Sequence, residues 1–367
     1  MKKLTGNILG YGVLLLGAML VGGGIMAGSY SLYLKSTGSS PADKDNNKNL
    51  NDSLIRYMEQ LQVSNNPRDV FVAVQFLDFH ESVNQTAKPV NGMFVKQLKK
   101  AIAQSPDDAD IAWVEAMGCG RLEVACDPEN GIARLKRLEP DNLAAYLIAF
   151  SRADKKGDRA GRKNELMAMA NSRYSDIHYY STGNLYYESL RAWHPPMPIS
   201  VLALFGDDIN RAPVTDEEAR KVVAAGYSFM MSLPPLSPIS EYCKSEQLPI
   251  DELSACRKIA TLMVKDKTLI MHSVGLRIGL SVFRQEPEAT QWREAFRTKA
   301  WLNLYRPDKK TKHSLRDEIN AWPHEDEVVY YRSLRVTEGI SLTPPAGWQP
   351  DDEGYRKLLA IPTTSKK

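Results

Sequence analysis

The sequence predicts an all-α fold: an array of helical hairpins that continues into a C-terminal helical bundle, after one N-terminal transmembrane helix. Three observations carry this. Proline-marked helix starts recur at Pro67, Pro106 and Pro140. Apolar residues fall three and four apart along most of the chain, as a single buried helix face requires. Runs that alternate apolar and polar residues, the mark of a half-buried strand, are nearly absent.

The first element is residues 1–34. Lys2 and Lys3 precede a stretch without charge from Leu4 to Leu34. That exceeds the roughly 20 apolar residues that span a bilayer, whereas a cleavable signal has an apolar core of about 7–15. Ala27-Gly28-Ser29 offers a cleavage site, but the length favours a retained anchor. The lysines before it stay on the cytoplasmic side, so the rest of the chain is expected in the periplasm, on a single-pass inner-membrane protein. Residues 35–52 are polar and rich in Ser, Asn and Asp, and read as a flexible linker. The composition of the whole chain, 43% hydrophobic and 25% charged, is that of a folded protein. With 47 basic against 44 acidic residues and no basic stripe, nothing suggests nucleic acid.

Residues 53–195 read as the helical-hairpin region. Leu54, Ile55, Met58 and Leu61 share one face. Asn66-Pro67-Arg68-Asp69 has a capping residue, a first-turn proline and an acid for the helix dipole. Phe94, Val95, Leu98 and Ile102 mark the next helix. Pro106 and Pro140 stand 34 residues apart, and Leu166, Met167 and Met169 follow Ile132, Ala133 and Leu135 at the same interval. Pro67 precedes Pro106 by 39, with the excess in the loop around Lys88. This is an internal period of about 34 residues, one helix pair each. Pro140, Tyr146, Gly157-Asp158, Ala116, Ile132 and Leu166 hold matching positions of the tetratricopeptide repeat. Over Asn66 to Tyr174 the chain therefore resembles that family, although Glu115, Pro128, Phe150, Arg162 and Tyr174 depart from its pattern. The whole arrangement also resembles exported, membrane-anchored helical proteins of Gram-negative bacteria, a likeness that implies no activity.

Residues 196–367 are expected to form a C-terminal helical region packed on the hairpins. Thr215-Asp216-Glu217-Glu218 has the form of a capping box. Residues 232–243 read as a proline-stiffened loop. Leu253, Cys256, Ile259, Leu262 and Met263 share a face. Thr268–Phe283 is apolar nearly all round and reads as a buried central helix, with Gly275 and Gly279 admitting a close neighbour. Another helix covers residues 288–305, and the C-terminus reads as an extended strap with a last short helix.

Candidate chemistry is sparse. In an exported protein the four cysteines, Cys119, Cys126, Cys243 and Cys256, suggest disulfides. Proximity favours Cys119–Cys126 and Cys243–Cys256 among the three possible pairings. Zinc would want closer pairs or nearby histidines, and a redox pair would want two intervening residues. His80, His178, His194, His272, His313 and His324 are scattered singly, and Asp78–Ser82 reads as a loop rather than a triad. Tyr179, Tyr180, Tyr186, Tyr187 and Trp193 are either core or the wall of a partner-binding groove. The expected function is a periplasmic helical-repeat module that binds or scaffolds a protein or peptide partner without catalysis, attached to the inner membrane by its N-terminal helix. An envelope hydrolase with a site assembled from distant helices and a membrane-tethered spacer are the alternatives. No metal or cofactor is expected.

Overall fold

A computed structural model of the chain describes residues 41–84, 92–118, 127–196, 212–284, 288–304, 315–322 and 326–360. Among these residues it is all-α: sixteen helices, no strand, and a lone parallel bridge between Asn142 and Tyr174. No helix of the described residues is long and apolar enough to cross a membrane, and the expected anchor at 1–34 lies outside them. The chain divides into two compact units, each built from separate stretches of sequence. One comprises residues 1–134, 178–233 and 313–323, the other 135–177, 234–312 and 324–367.

The first unit contains α1 (Pro41–Leu61), α2 (Pro67–Asn84), α3 (Gly92–Gln104) and α4 (Ala109–Gly118). It also holds α8 (Tyr179–Ser189), α9 (Asp216–Ser232) and α14 (Leu315–Ala321). The expected linker is helical from Pro41 on, and proline is well placed in a first turn. Residues 78–82, expected as a loop, are the last turns of α2. The recurring starts form as helix starts. The Asn66 carboxamide oxygen accepts from Arg68 N (3.1 Å), and the Asp108 carboxylate from Asp110 N (3.1 Å) and Ile111 N (3.2 Å). Pro106 therefore stands in the turn before its helix, not inside it. The capping box closes in both directions: Glu218 N donates to Thr215 Oγ1 (3.1 Å) and Thr215 N to the Glu218 carboxylate (2.8 Å). In α4 every residue from Ile111 to Met117 is buried, so this helix has no solvent face. Its buried Glu115 is paired with Arg134 of α5 (Pro128–Leu138), the helix in which the boundary between the units falls.

The second unit begins with the hairpin of α6 (Leu143–Lys155) and α7 (Arg159–Asn171). Gly157 turns the chain at φ +68°, where a side chain would be strained, and Asp158 caps α7 through Gly161 N (2.9 Å). Asn142 is fully buried and uses both ends of its amide. Its oxygen accepts from Ala144 N (3.1 Å) and Asp176 N (3.0 Å), and its Nδ2 donates to the Glu139 carboxylate and the Asp176 carbonyl (both 2.8 Å). Next come α10 (Ser237–Cys243), α11 (Ile250–Met263), α12 (Leu269–Val282), α13 (Glu288–Leu304), α15 (Glu327–Thr337) and α16 (Glu353–Leu359). The expected proline-stiffened loop includes α10, because Pro238 occupies its first turn. The central helix forms as expected: α12 packs against α10, α11, α13 and α15. A Cβ on Gly275 would lie 2.7 Å from Val264 N at the end of α11, and one on Gly279 would run into the indole ring of Trp292 on α13. The strap is held to α13. Trp301 Nε1 donates to the Ser341 carbonyl (2.7 Å), and Arg297 donates to the carbonyls of Pro345 (3.0 Å) and Trp348 (3.1 Å).

Cys243 at the end of α10 and Cys256 in α11 are joined in a disulfide, with Cα atoms 5.7 Å apart. Cys119 and Cys126 lie outside the described residues. Two predictions follow from this packing. Replacing both Cys243 and Cys256 by Ser is expected to cost about 3 kcal/mol, read as a lower denaturant midpoint. Reductant should reproduce that loss in the wild type, and any further loss it causes in the double variant reports the expected Cys119–Cys126 bond. Gly279→Ala in an exposed helix would gain roughly 1 kcal/mol, but here the methyl meets the indole and a loss of about 1–3 kcal/mol is expected. A gain on chemical unfolding would show that Trp292 does not cover Gly279.

Candidate functional site

The aromatic cluster singled out from the sequence belongs to the first unit. Tyr179, Tyr186 and Trp193 are buried, while Tyr180 and Tyr187 are half-buried. The Tyr186 ring lies 5.9 Å from Tyr227, whose ring in turn is 4.5 Å from Phe76. Trp193 Nε1 donates to Ser53 Oγ (3.2 Å), and its carbonyl accepts from Arg220 (2.9 Å). Gly183 lets the Trp322 ring close on α8. These rings hold α8 against α1, α2 and α9, and the three buried ones present no wall to a partner.

The same unit brings together Asp110, His178 and Ser181, which the sequence separates. His178 Nδ1 is 3.0 Å from Asp110 and 3.4 Å from Ser181 Oγ, and its ring stacks on Trp113 at 5.2 Å. In a catalytic triad the serine faces the nitrogen opposite the one the carboxylate holds. Here both groups address Nδ1, so no proton relay runs between them. His178 sits at φ 55° immediately before α8, in the left-handed region where L residues are uncommon. Burial works against the Asp110 carboxylate, but its bonds to His178 and Ser181 hold its pKa below the usual value. The arrangement pins a strained turn. Among the described residues, no three His, Cys, Asp or Glu side chains gather closely enough to hold a metal ion.

A cavity of about 750 Å³ lies in the second unit, between α11, α12, α13 and α15. Its inner wall is apolar: Val264, Leu269, Leu276, Phe283, Trp292, Leu302 and Val328. Glu288, Gln291, Glu294 and Arg332 line it as exposed residues and form its rim. Trp292 is placed by Gly279, and its indole stacks on Phe283 with ring centres 5.0 Å apart. The close approach at Gly279 thus builds one side of the cavity.

His272 and Lys299 are the two basic groups of the interior. His272 Nδ1 lies 2.8 Å from the Val264 carbonyl, which can only accept, so the proton is on Nδ1 and Nε2 keeps its lone pair. Burial lowers the His272 pKa, and the positive charges of Lys299 and Arg332 lower it further, against the Val264 bond and Asp326, so the imidazole is neutral at pH 7. Lys299, on α13, is only 8% exposed. Among the described residues it has no carboxylate partner and no hydrogen bond. Its Nζ lies 5.6 Å from the centre of the Tyr355 ring, beside the apolar cluster of Leu276, Leu280 and Phe296. Burial first, and the like charge of Arg277 second, bring its pKa down to about 8. Neither group was singled out from the sequence as part of a site. The signal for Lys299 was present: it stands three residues after Phe296 and seven after Trp292, on the apolar stripe of α13.

An ammonium in such a place is a cost to folding. The Lys299 amine titrates at about 8 in the folded chain and near 10.4 when unfolded. Between those values the unfolded chain holds the extra proton, so stability rises with pH through that window. Lys299→Met is therefore expected to stabilise the protein at pH 7, by on the order of 1–3 kcal/mol, and to flatten the rise between about pH 8 and 10. A lower unfolding midpoint for this variant at pH 7 would show that the ammonium has a partner in the fold. No family model, no curated protein and no solved structure matches this chain.

Proposed function

We propose that the chain is a membrane-anchored periplasmic protein whose helical domain is a non-catalytic binding module, with the cavity of the second unit as its ligand site. The observation that carries this is the cavity itself. Its volume falls in the range of small-molecule sites, roughly 300–1,000 Å³, and it has an apolar interior, a polar rim and few interior polar groups. A binding role is favoured over a hydrolase because no interior hydroxyl of the described wall is paired with His272 or Lys299 as nucleophile to base. A spacer has no use for a cavity that keeps a charged lysine in an apolar wall.

The expected protein or peptide partner narrows, in this reading, to an occupant small enough to be enclosed. The envelope location rests on the uncharged stretch from Leu4 to Leu34 and on the Cys243–Cys256 disulfide, which suits an oxidising compartment. A tetratricopeptide-like ancestry for the hairpins is supported by the period of about 34 residues, to which the bonds from Asn142 to Asp176 conform. The test is native mass spectrometry of the full chain released from its membrane. Wild type is expected to carry a small-molecule adduct that Ala295→Trp, which fills the cavity from α13, loses while its helical content stays unchanged. An adduct that survives in Ala295→Trp, or none in any wild-type preparation, would sink the reading.

A further inference from the structure

We propose that the cavity of the second unit binds an amphipathic monocarboxylate, an apolar chain with one carboxylate head, and that the Lys299 ammonium holds the head. The inference rests on the cavity being the ligand site and adds the chemistry of the ligand.

Charge complementarity carries it. The charged side chains of the wall other than Lys299, namely Glu288, Glu294 and Arg332, are exposed at the rim. Glu294 is already engaged by Arg297 (2.9 Å). The full charge in the interior is Lys299, and the charged group that acts on it, Arg277, has the same sign. A buried ammonium with no carboxylate opposite is destabilising unless an anion joins it. The ring of Tyr355 offers it a π face and no charge. An incoming carboxylate would supply the missing partner and form a charge-assisted hydrogen bond in surroundings where such bonds are strong.

The rest of the wall selects the remainder of the ligand. Leu276, Trp292, Phe283 and Leu302 offer an apolar chain contact and ask nothing of it. A peptide would bring an N–H and a C=O with every residue, each needing a partner. Besides Lys299, the polar side chains of the inner wall are Thr298, Tyr331 and His272, fewer than the backbone groups of even a short peptide. A phosphate dianion would leave one negative charge uncompensated beside a single ammonium. One positive charge in an apolar chamber matches one carboxylate on an apolar chain.

The experiment uses the full chain in lipid nanodiscs and a dodecanoate bearing a diazirine in mid-chain. Its partner probe is the same chain ending in an alcohol. After photolysis, labelled peptides are mapped, which separates labelling of the cavity from labelling near the membrane. The carboxylate probe is expected to label α12, α13 and α15 peptides of wild type, and excess dodecanoate to suppress it. Lys299→Met should reduce that labelling roughly tenfold, the loss of one charge-assisted bond, while Lys299→Arg retains most of it. Labelling by the alcohol should be insensitive to Lys299. If both probes label the cavity equally, and Lys299→Met changes neither, the head is not read by Lys299 and this inference falls, while the cavity stands as an apolar ligand site. If neither probe labels the cavity, the inference falls together with the functional reading it rests on.

Discussion

The second unit depends on how closely α12 can be approached. Gly275 and Gly279 remove two side chains from one face of that helix, and the end of α11 and the indole of Trp292 occupy the space. A methyl at either position would push against backbone or a large ring, and neither can give way cheaply. The consequence is a helix packed on four neighbours. Its N-terminus is correspondingly well satisfied. Asp266 accepts from Thr268 N (2.8 Å) and from Ser175 Oγ (2.5 Å), and Glu327 accepts from Leu269 N (2.6 Å). Burial raises the Asp266 pKa to about 6 in spite of those bonds.

The cavity follows from that same packing. Trp292 stands where it does because Gly279 admits it, and with Phe283 it forms one wall. Helix α13 then turns Lys299 inward on the stripe that Phe296 and Trp292 occupy. A well-packed interior would place an apolar residue at that position. Keeping a lysine there costs stability. The first unit offers a contrast in His178, Asp110 and Ser181. That cluster has the composition of a catalytic site, but its bonds converge on one nitrogen, and they secure a turn.

Much of the helical framework was legible in the sequence, because its signals are local. A capping residue, a first-turn proline and apolar spacing act within one helix turn, and the starts at Asn66, Asp108, Asn142 and Thr215 formed as helix starts. The buried character of α12 and the nearness of Cys243 to Cys256 were readable for the same reason. Composition misled at residues 41–52, where the polar residues that suggest a tether stand in a helix that begins at Pro41. It misled again around Pro238, which opens a helix instead of preventing one.

What the sequence determined by itself was the helical class, most helix starts, the glycine face of α12 and an uncharged N-terminal stretch long enough to span a bilayer. The tertiary structure alone decided the rest. It divided the chain between two units, because α8 pairs with α9 in one and α7 with α11 in the other, across long gaps in sequence. It buried Tyr179, Tyr186 and Trp193, which the sequence left open as core or groove. It also assembled the cavity from α11, α12, α13 and α15 and set Lys299 within it. Those outcomes rest on contacts between residues far apart along the chain, and no local pattern specifies which apolar faces will meet.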